Sequence, residues 1–108
     1  MPHIILEHNS TDKALVAKTC ELLHKTLSEQ ETVKLGSIKT RSVFIENLVL
    51  GDGTADEDFA HVQLKLLPGR TEKLRVQMSK ALLEVLQSQF GTGSLSVEVI
   101  ELASYSKV

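Results

Sequence analysis

The stretch 60–102, AHVQLKLLPGRTEKLRVQMSKALLEVLQSQFGTGSLSVEVIEL, is the part of the chain on which the fold turns. Ala60 to Leu67 alternates Val62, Leu64 and Leu66 with His61, Gln63 and Lys65, the two-residue period of a half-buried strand, and Pro68-Gly69 ends it with turn chemistry. From Thr71 to Phe90 the period changes: Leu74, Met78, Ala81, Leu82, Val85 and Leu86 fall on one helical face, with Glu72 in the opening turn. Gly91-Thr92-Gly93 breaks that helix, and Leu95 to Leu102 reads as another strand. Strand, helix and strand in this order imply a right-handed crossover between two parallel strands.

The first half has the same order. His3 to His8 is a short apolar strand that stops at Asn9-Ser10-Thr11-Asp12. From about Thr11 to Gln30, Val16, Cys20, Leu23 and Leu27 recur at helical steps behind a Ser/Thr cap with Asp12 in the first turn, and residues 38–50, IKTRSVFIENLVL, read as a long strand closed by Gly51-Asp52-Gly53. Shifting by 60 pairs Thr11-Asp12-Lys13 with Thr71-Glu72-Lys73 and Leu22-Leu23 with Leu82-Leu83, and 6 of 20 helix positions are identical, which suits duplication and convergence alike. The expected fold class is α/β, more narrowly a two-layer α+β arrangement: tandem βαβ units forming a four-stranded mixed sheet with two helices on one face. It occupies one domain over residues 1–108, in halves of about 1–55 and 56–108. Because Ile4, Ile5 and Leu6 are consecutive, both sheet faces receive apolar side chains, and the face without helices is expected to be covered by another subunit.

Composition narrows the function. The chain has 108 residues and a formal net charge of −2, with no Trp, one Tyr and three Phe, so it offers neither a basic stripe nor an aromatic stacking platform for nucleic acid. The lone Cys20 rules out an internal disulfide. The apolar run Ile4-Ile5-Leu6 reaches Glu7 after only three residues, which resembles neither a secretory leader nor a membrane span, and a cytoplasmic location is expected. His3, His8, His24 and His61 lack metal-ligand spacing and support no Ser-His-Asp assignment; no metal and no cofactor are expected. Asp56-Glu57-Asp58 misses the calcium-loop pattern and reads as a solvated loop.

Three features could carry chemistry. Pro2 becomes an N-terminal secondary amine if Met1 is removed; an α-amino group titrates near 7.7–8.0, so burial or nearby cations would leave a usable base at neutral pH. With Met1 retained its nitrogen is an amide. Arg70, in Pro68-Gly69-Arg70-Thr71, sits where a strand hands over to a helix N-terminus, a seat for a carboxylate, although a solvated turn residue is the plainer reading. Lys39 and Arg41, one residue apart, point to the same face of their strand. Parallel pairing of the first two strands brings these cations to the edge that holds Pro2, and antiparallel packing of the two halves would bring Arg70 there too. An anionic substrate that must lose and regain a proton suits such a group.

On these residues the chain resembles the tautomerase superfamily, whose members use an amino-terminal proline as general base on a doubled strand–helix–strand fold. Within it, Met1 to Glu7, Ile38-Lys39-Thr40-Arg41-Ser42-Val43, Gly51-Asp52-Gly53, Asp58-Phe59-Ala60 and Leu66 through Arg70 resemble the 5-carboxymethyl-2-hydroxymuconate isomerase family. The resemblance implies a homotrimer and a cofactor-independent 1,3-proton shift on a small anionic carboxylate. Pro2 would take the proton from the 2-hydroxyl of the dienol and return it at carbon five. By the same resemblance Arg70 matches one catalytic arginine of the family and Lys39 stands at the other, with Arg41 and His3 as substrate-binding residues. Lysine keeps the charge at position 39 but lacks the bidentate fork. Two alternatives stay open: a tautomerase for another 2-oxo acid such as phenylpyruvate, and a non-catalytic trimeric domain that binds an anion or a protein.

Overall fold

The computed structural model describes residues 1–54 and 56–108; the expected junction of the two halves at residue 55 falls outside them. The elements run β1 (His3–His8), α1 (Lys13–Ser28), a 3-10 turn (Leu35–Ser37), β2 (Lys39–Phe44), β3 (Phe59–Leu66), α2 (Glu72–Phe90) and β4 (Ser94–Glu101). The sheet order is β2-β1-β3-β4. β1 is parallel to β2 and β3 to β4, while β1 and β3 meet antiparallel at the centre, so the sheet is mixed as expected. The two helices pack against each other and against the sheet on one face, giving two layers.

Alternation decides the core. In β1 Ile4, Leu6 and His8 are buried under the helices, and in β3 Ala60, Val62, Leu64 and Leu66 do the same. Met78, Leu82, Leu86 and Phe90 of α2 and Val16, Leu23 and Leu27 of α1 complete the cluster. Each fully buried aliphatic side chain there contributes about 1.5–3 kcal/mol. Thr19, rather than Cys20, takes the remaining core position of α1: it is fully buried, and its hydroxyl satisfies itself by donating to the Leu15 carbonyl at 2.8 Å. Cys20 stands half-buried at the side of the helix.

Two sequence expectations change. Asp12 is the cap of α1 and not a first-turn residue, its carboxylate accepting from Leu15 N at 3.0 Å. β2 ends at Phe44 instead of running to residue 50, because its neighbour in the sheet, β1, ends at His8: Ile45 N donates to the His8 carbonyl at 2.8 Å, and among the described residues the ladder goes no further. Beyond it Val49 is 79% exposed, so β propensity without a partner makes no strand here.

The face without helices is mixed in character. Ile5, Val43, Phe59 and Ile100 share it with His3, Lys39, Arg41, Lys65, Gln63, His61 and Glu98. On it His61 bridges β3 to β4, with Nδ1 2.6 Å from Ser96 Oγ and Nε2 2.6 Å from Glu98 Oε2. Among the described residues no helix is long and apolar enough to cross a membrane.

Candidate active site

The pairing pattern brings four strand ends to one edge. β1 and β2 begin there and β3 and β4 finish there, since His3 pairs with Lys39 on one side and Lys65 on the other, and Lys65 pairs with Ile100. The antiparallel packing on which Arg70's approach depended is therefore present. Pro2 enters this edge fully buried, and its carbonyl accepts from Lys39 N at 3.0 Å, which continues the ladder and fixes its place. The Met1 amine donates to the Ser37 carbonyl at 2.7 Å. Burial first, then the positive charges of Lys39 and Lys107, push this amine below the usual terminal value of 8.0.

On the open face the His3 ring lies between two hydrogen-bond partners. Arg41 Nη1 is 3.0 Å from Nδ1, and Tyr105 Oη is 3.1 Å from Nε2, with the tyrosine ring packed edge-on at 5.7 Å between centroids. Burial, then Arg41 and Lys39, with smaller contributions from the terminal amine and Lys65, hold the His3 pKa below 6.5. Burial and these charges favour the neutral ring.

Arg70 reaches the same end of the sheet by another route. Its side chain, partly buried, spans to the loop between α1 and β2, donating from Nε to Thr32 Oγ1 at 2.8 Å and from Nη2 to the Thr32 carbonyl at 3.1 Å. The Arg70 carbonyl in turn accepts from Arg75 Nη1, and Arg75 pairs with Glu101 at 3.5 Å. Thr71 caps α2 beside it by accepting from Leu74 N at 3.2 Å. Among the described residues, the contacts that fix Arg70 share no residue with those that fix His3 and Arg41. Of the five residues singled out in sequence, Pro2, His3, Lys39 and Arg41 are joined by strand register or direct hydrogen bonds, and Arg70 stands at the rim with two of its five guanidinium N–H groups donated to Thr32.

Sequence reasoning missed Tyr105 and Lys107. The signal was in the topology: once β4 is parallel to β3, its end lies at the Pro2 edge, so residues 102–108 emerge there. β4 and β1 are separated by β3, about 10 Å centre to centre, and the four residues from Glu101 to Tyr105 reach about 14 Å when extended. The segment starts across the end of β3, where Leu102 N donates to the Leu66 carbonyl at 2.8 Å.

Two open cavities lie away from this edge. One of about 550 Å³, lined by Val16, Ser42, Phe44 and His8 among others, opens at the far end of β1, and another of about 420 Å³ runs beside α1 past Cys20 and His24. Among the described residues no group of three His, Cys, Asp or Glu side chains is arranged to hold a metal ion. The edge can bind carboxylates through its cations and can offer a terminal amine for proton transfer once Met1 is gone.

Comparison with known proteins bears on this arrangement. A family profile described as 5-carboxymethyl-2-hydroxymuconate isomerase matches residues 2–104. The 5-carboxymethyl-2-hydroxymuconate Delta-isomerase of Escherichia coli is 27% identical over 110 residues, covering 94% of this chain and 87% of that protein. Among solved structures, a 5-carboxymethyl-2-hydroxymuconate isomerase from Deinococcus radiodurans R1 superposes with a TM-score of 0.83 at 23% identity, over 98% of this chain and 88% of the other. A fused 4-OT symmetric trimer superposes at 0.80 with 13% identity, over 94% and 87% of the two chains, and so shares the fold. With the profile spanning nearly its whole length, the chain belongs to the 5-carboxymethyl-2-hydroxymuconate isomerase family, on the tautomerase fold, and is an isomerase.

Proposed function

We propose that the chain catalyses a cofactor-independent 1,3-proton shift, enol to ketone, on an unsaturated hydroxy or oxo carboxylate such as 5-carboxymethyl-2-hydroxymuconate, with the Pro2 amine as general base. The observation that carries this reading is the placement of Pro2: buried, pinned by Lys39 N, and set at an edge where Lys39 and Lys107 already favour a neutral terminal amine. After Met1 is removed, the secondary amine takes the proton from the 2-hydroxyl and returns it at carbon five, so the proton count closes without a co-reactant. Lys39 and Arg70 stabilise charge on the developing ketone and a carboxylate, while Arg41 and His3 bind the remainder of the anion. The working assembly is a homotrimer, a state supported by the symmetric trimer that shares the fold.

Lys39 favours one variation. A lysine at this position binds a carboxylate as a point charge and not as a fork, which suits a simpler 2-oxo acid of the phenylpyruvate kind. Turnover of both substrate types, followed by ultraviolet absorbance, separates the two.

The test of the base is Pro2→Ala on protein whose mass shows Met1 removed. General-base catalysis is worth about 10²–10⁴-fold, so kcat/KM is expected to fall by that factor while the oligomer seen by sedimentation stays intact. Unchanged turnover in Pro2→Ala removes the base assignment; no turnover of any enol carboxylate by the processed wild type leaves a binding protein.

A further inference from the structure

A guanidinium has only donors, so the 3.0 Å contact between Arg41 Nη1 and His3 Nδ1 exists only when Nδ1 carries a lone pair. The proton of the neutral ring must then sit on Nε2. That N–H faces Tyr105 Oη at 3.1 Å, so the phenol oxygen accepts and its own proton stays free. Every bond in the chain Arg41, His3, Tyr105 is thereby polarised in one direction. The cations on the flanking strands, Lys39 and Lys65, are also donors only, which reinforces a neutral ring. Arg41 is otherwise an exposed side chain on an edge strand, and its rotamer freedom is what carboxylate binding must suppress.

We infer that Tyr105 is a positioning residue: its hydroxyl accepts from His3 Nε2 and anchors the ring that receives Arg41, so the C-terminal segment braces a carboxylate-binding cation from the opposite end of the chain. This rests on the proposed role of Arg41 in binding the substrate. The hydroxyl does not touch the amine at Pro2, so the brace acts on binding and leaves proton transfer alone.

The experiment compares the full-length processed wild type with Tyr105→Phe, Arg41→Ala and the double variant. Loss of one hydrogen bond corresponds to about 3–10-fold, so Tyr105→Phe is expected to raise KM for the dienol dicarboxylate by that factor with kcat nearly unchanged. In the Arg41→Ala background the same substitution is expected to change nothing, because there is no guanidinium left to position. Two readouts do not depend on turnover. The ¹⁵N shifts of the His3 ring should show Nδ1 unprotonated and Nε2 protonated in the wild type, and affinity for glutarate by calorimetry should fall by the same factor in Tyr105→Phe. A fall in kcat with KM unchanged, an equal effect with and without Arg41, or a ring averaging between tautomers in the wild type overturns the inference. If the wild type turns over no enol carboxylate, the isomerase reading falls by itself, and the glutarate and ring measurements still decide the brace. Should Tyr105→Phe fail to fold, the processed chain ending at Ser104 carries the same comparison, and an unchanged KM and glutarate affinity there overturns the inference.

Discussion

Replacing Gly93 by alanine tests whether the junction of β3 and β4 is as tight as the geometry requires. A Cβ built on Gly93 would lie 2.5 Å from the Asp58 carbonyl oxygen and 3.3 Å from its carbon, where ordinary contact begins at 3.4 Å. The obstacle is backbone, which cannot swing away like the end of a side chain. The same Asp58 oxygen accepts from Ser94 N at 2.9 Å, so moving it by close to an ångström gives up the first bond joining β4 to the chain before β3. That loss costs about 0.5–1.5 kcal/mol. The φ of +149° at residue 93 adds a penalty of about 1–3 kcal/mol for an L side chain. Together these give a destabilisation of about 2–4 kcal/mol. In urea, with a slope of about 2 kcal/mol per molar, the midpoint should drop by about 1–2 M at matched protein concentration, and the Tm by about 10–25 °C. Gly93 lies about 26 Å, the length of β4, from the edge that holds Pro2, so kcat/KM measured well below the melting range is expected to match the wild type. A loss under about 1 kcal/mol would show that the two strand starts can part without cost, and the reasoning would be wrong.

Two further outcomes follow from the titrating groups. His8 is buried on the helix side of β1, and burial holds its pKa below 6.5, while His3 is depressed by burial and neighbouring cations. Because the unfolded chain takes up protons at these rings before the folded one, stability is full above about pH 6.5 and falls as pH is lowered through that value. The urea midpoint should be lower at pH 5.5 than at 7.5, and less so in His8→Asn; a midpoint flat across this interval would refute the assignment. Burial also pushes the Cys20 thiol up, with Ser42 only partly offsetting it, so alkylation by iodoacetamide at pH 8 should run about ten-fold slower in the native chain than in urea. Equal rates would place the thiol in solvent.

Much of the fold was legible because period and topology agree at each step. Val62, Leu64 and Leu66 alternate, Met78, Leu82 and Leu86 repeat at four, and both patterns survive into the core. What failed were the ends that depend on a partner: β2 looked long because residues 45–50 favour strands, yet β1 offers no backbone to pair with past His8. Thr19 was hidden because a buried hydroxyl reads as polar until its bond to the Leu15 carbonyl is known. At the site, Lys39 and Arg41 could be placed from parity alone. Tyr105 could not, since its contact with His3 spans 102 residues and is set by where β4 ends.

The antiparallel centre of the sheet has a practical consequence for anyone who makes this protein. Residue 1 and the segment carrying Tyr105 and Lys107 come out on the same rim, so an affinity tag at either terminus would sit on the candidate site. A leader before Met1 would acylate the proline nitrogen for good; an extension after Val108 would load the segment that carries Tyr105. A label belongs instead in the exposed turn Gly51-Asp52-Gly53-Thr54, and activity assays on tagged material should be read only after both ends have been trimmed.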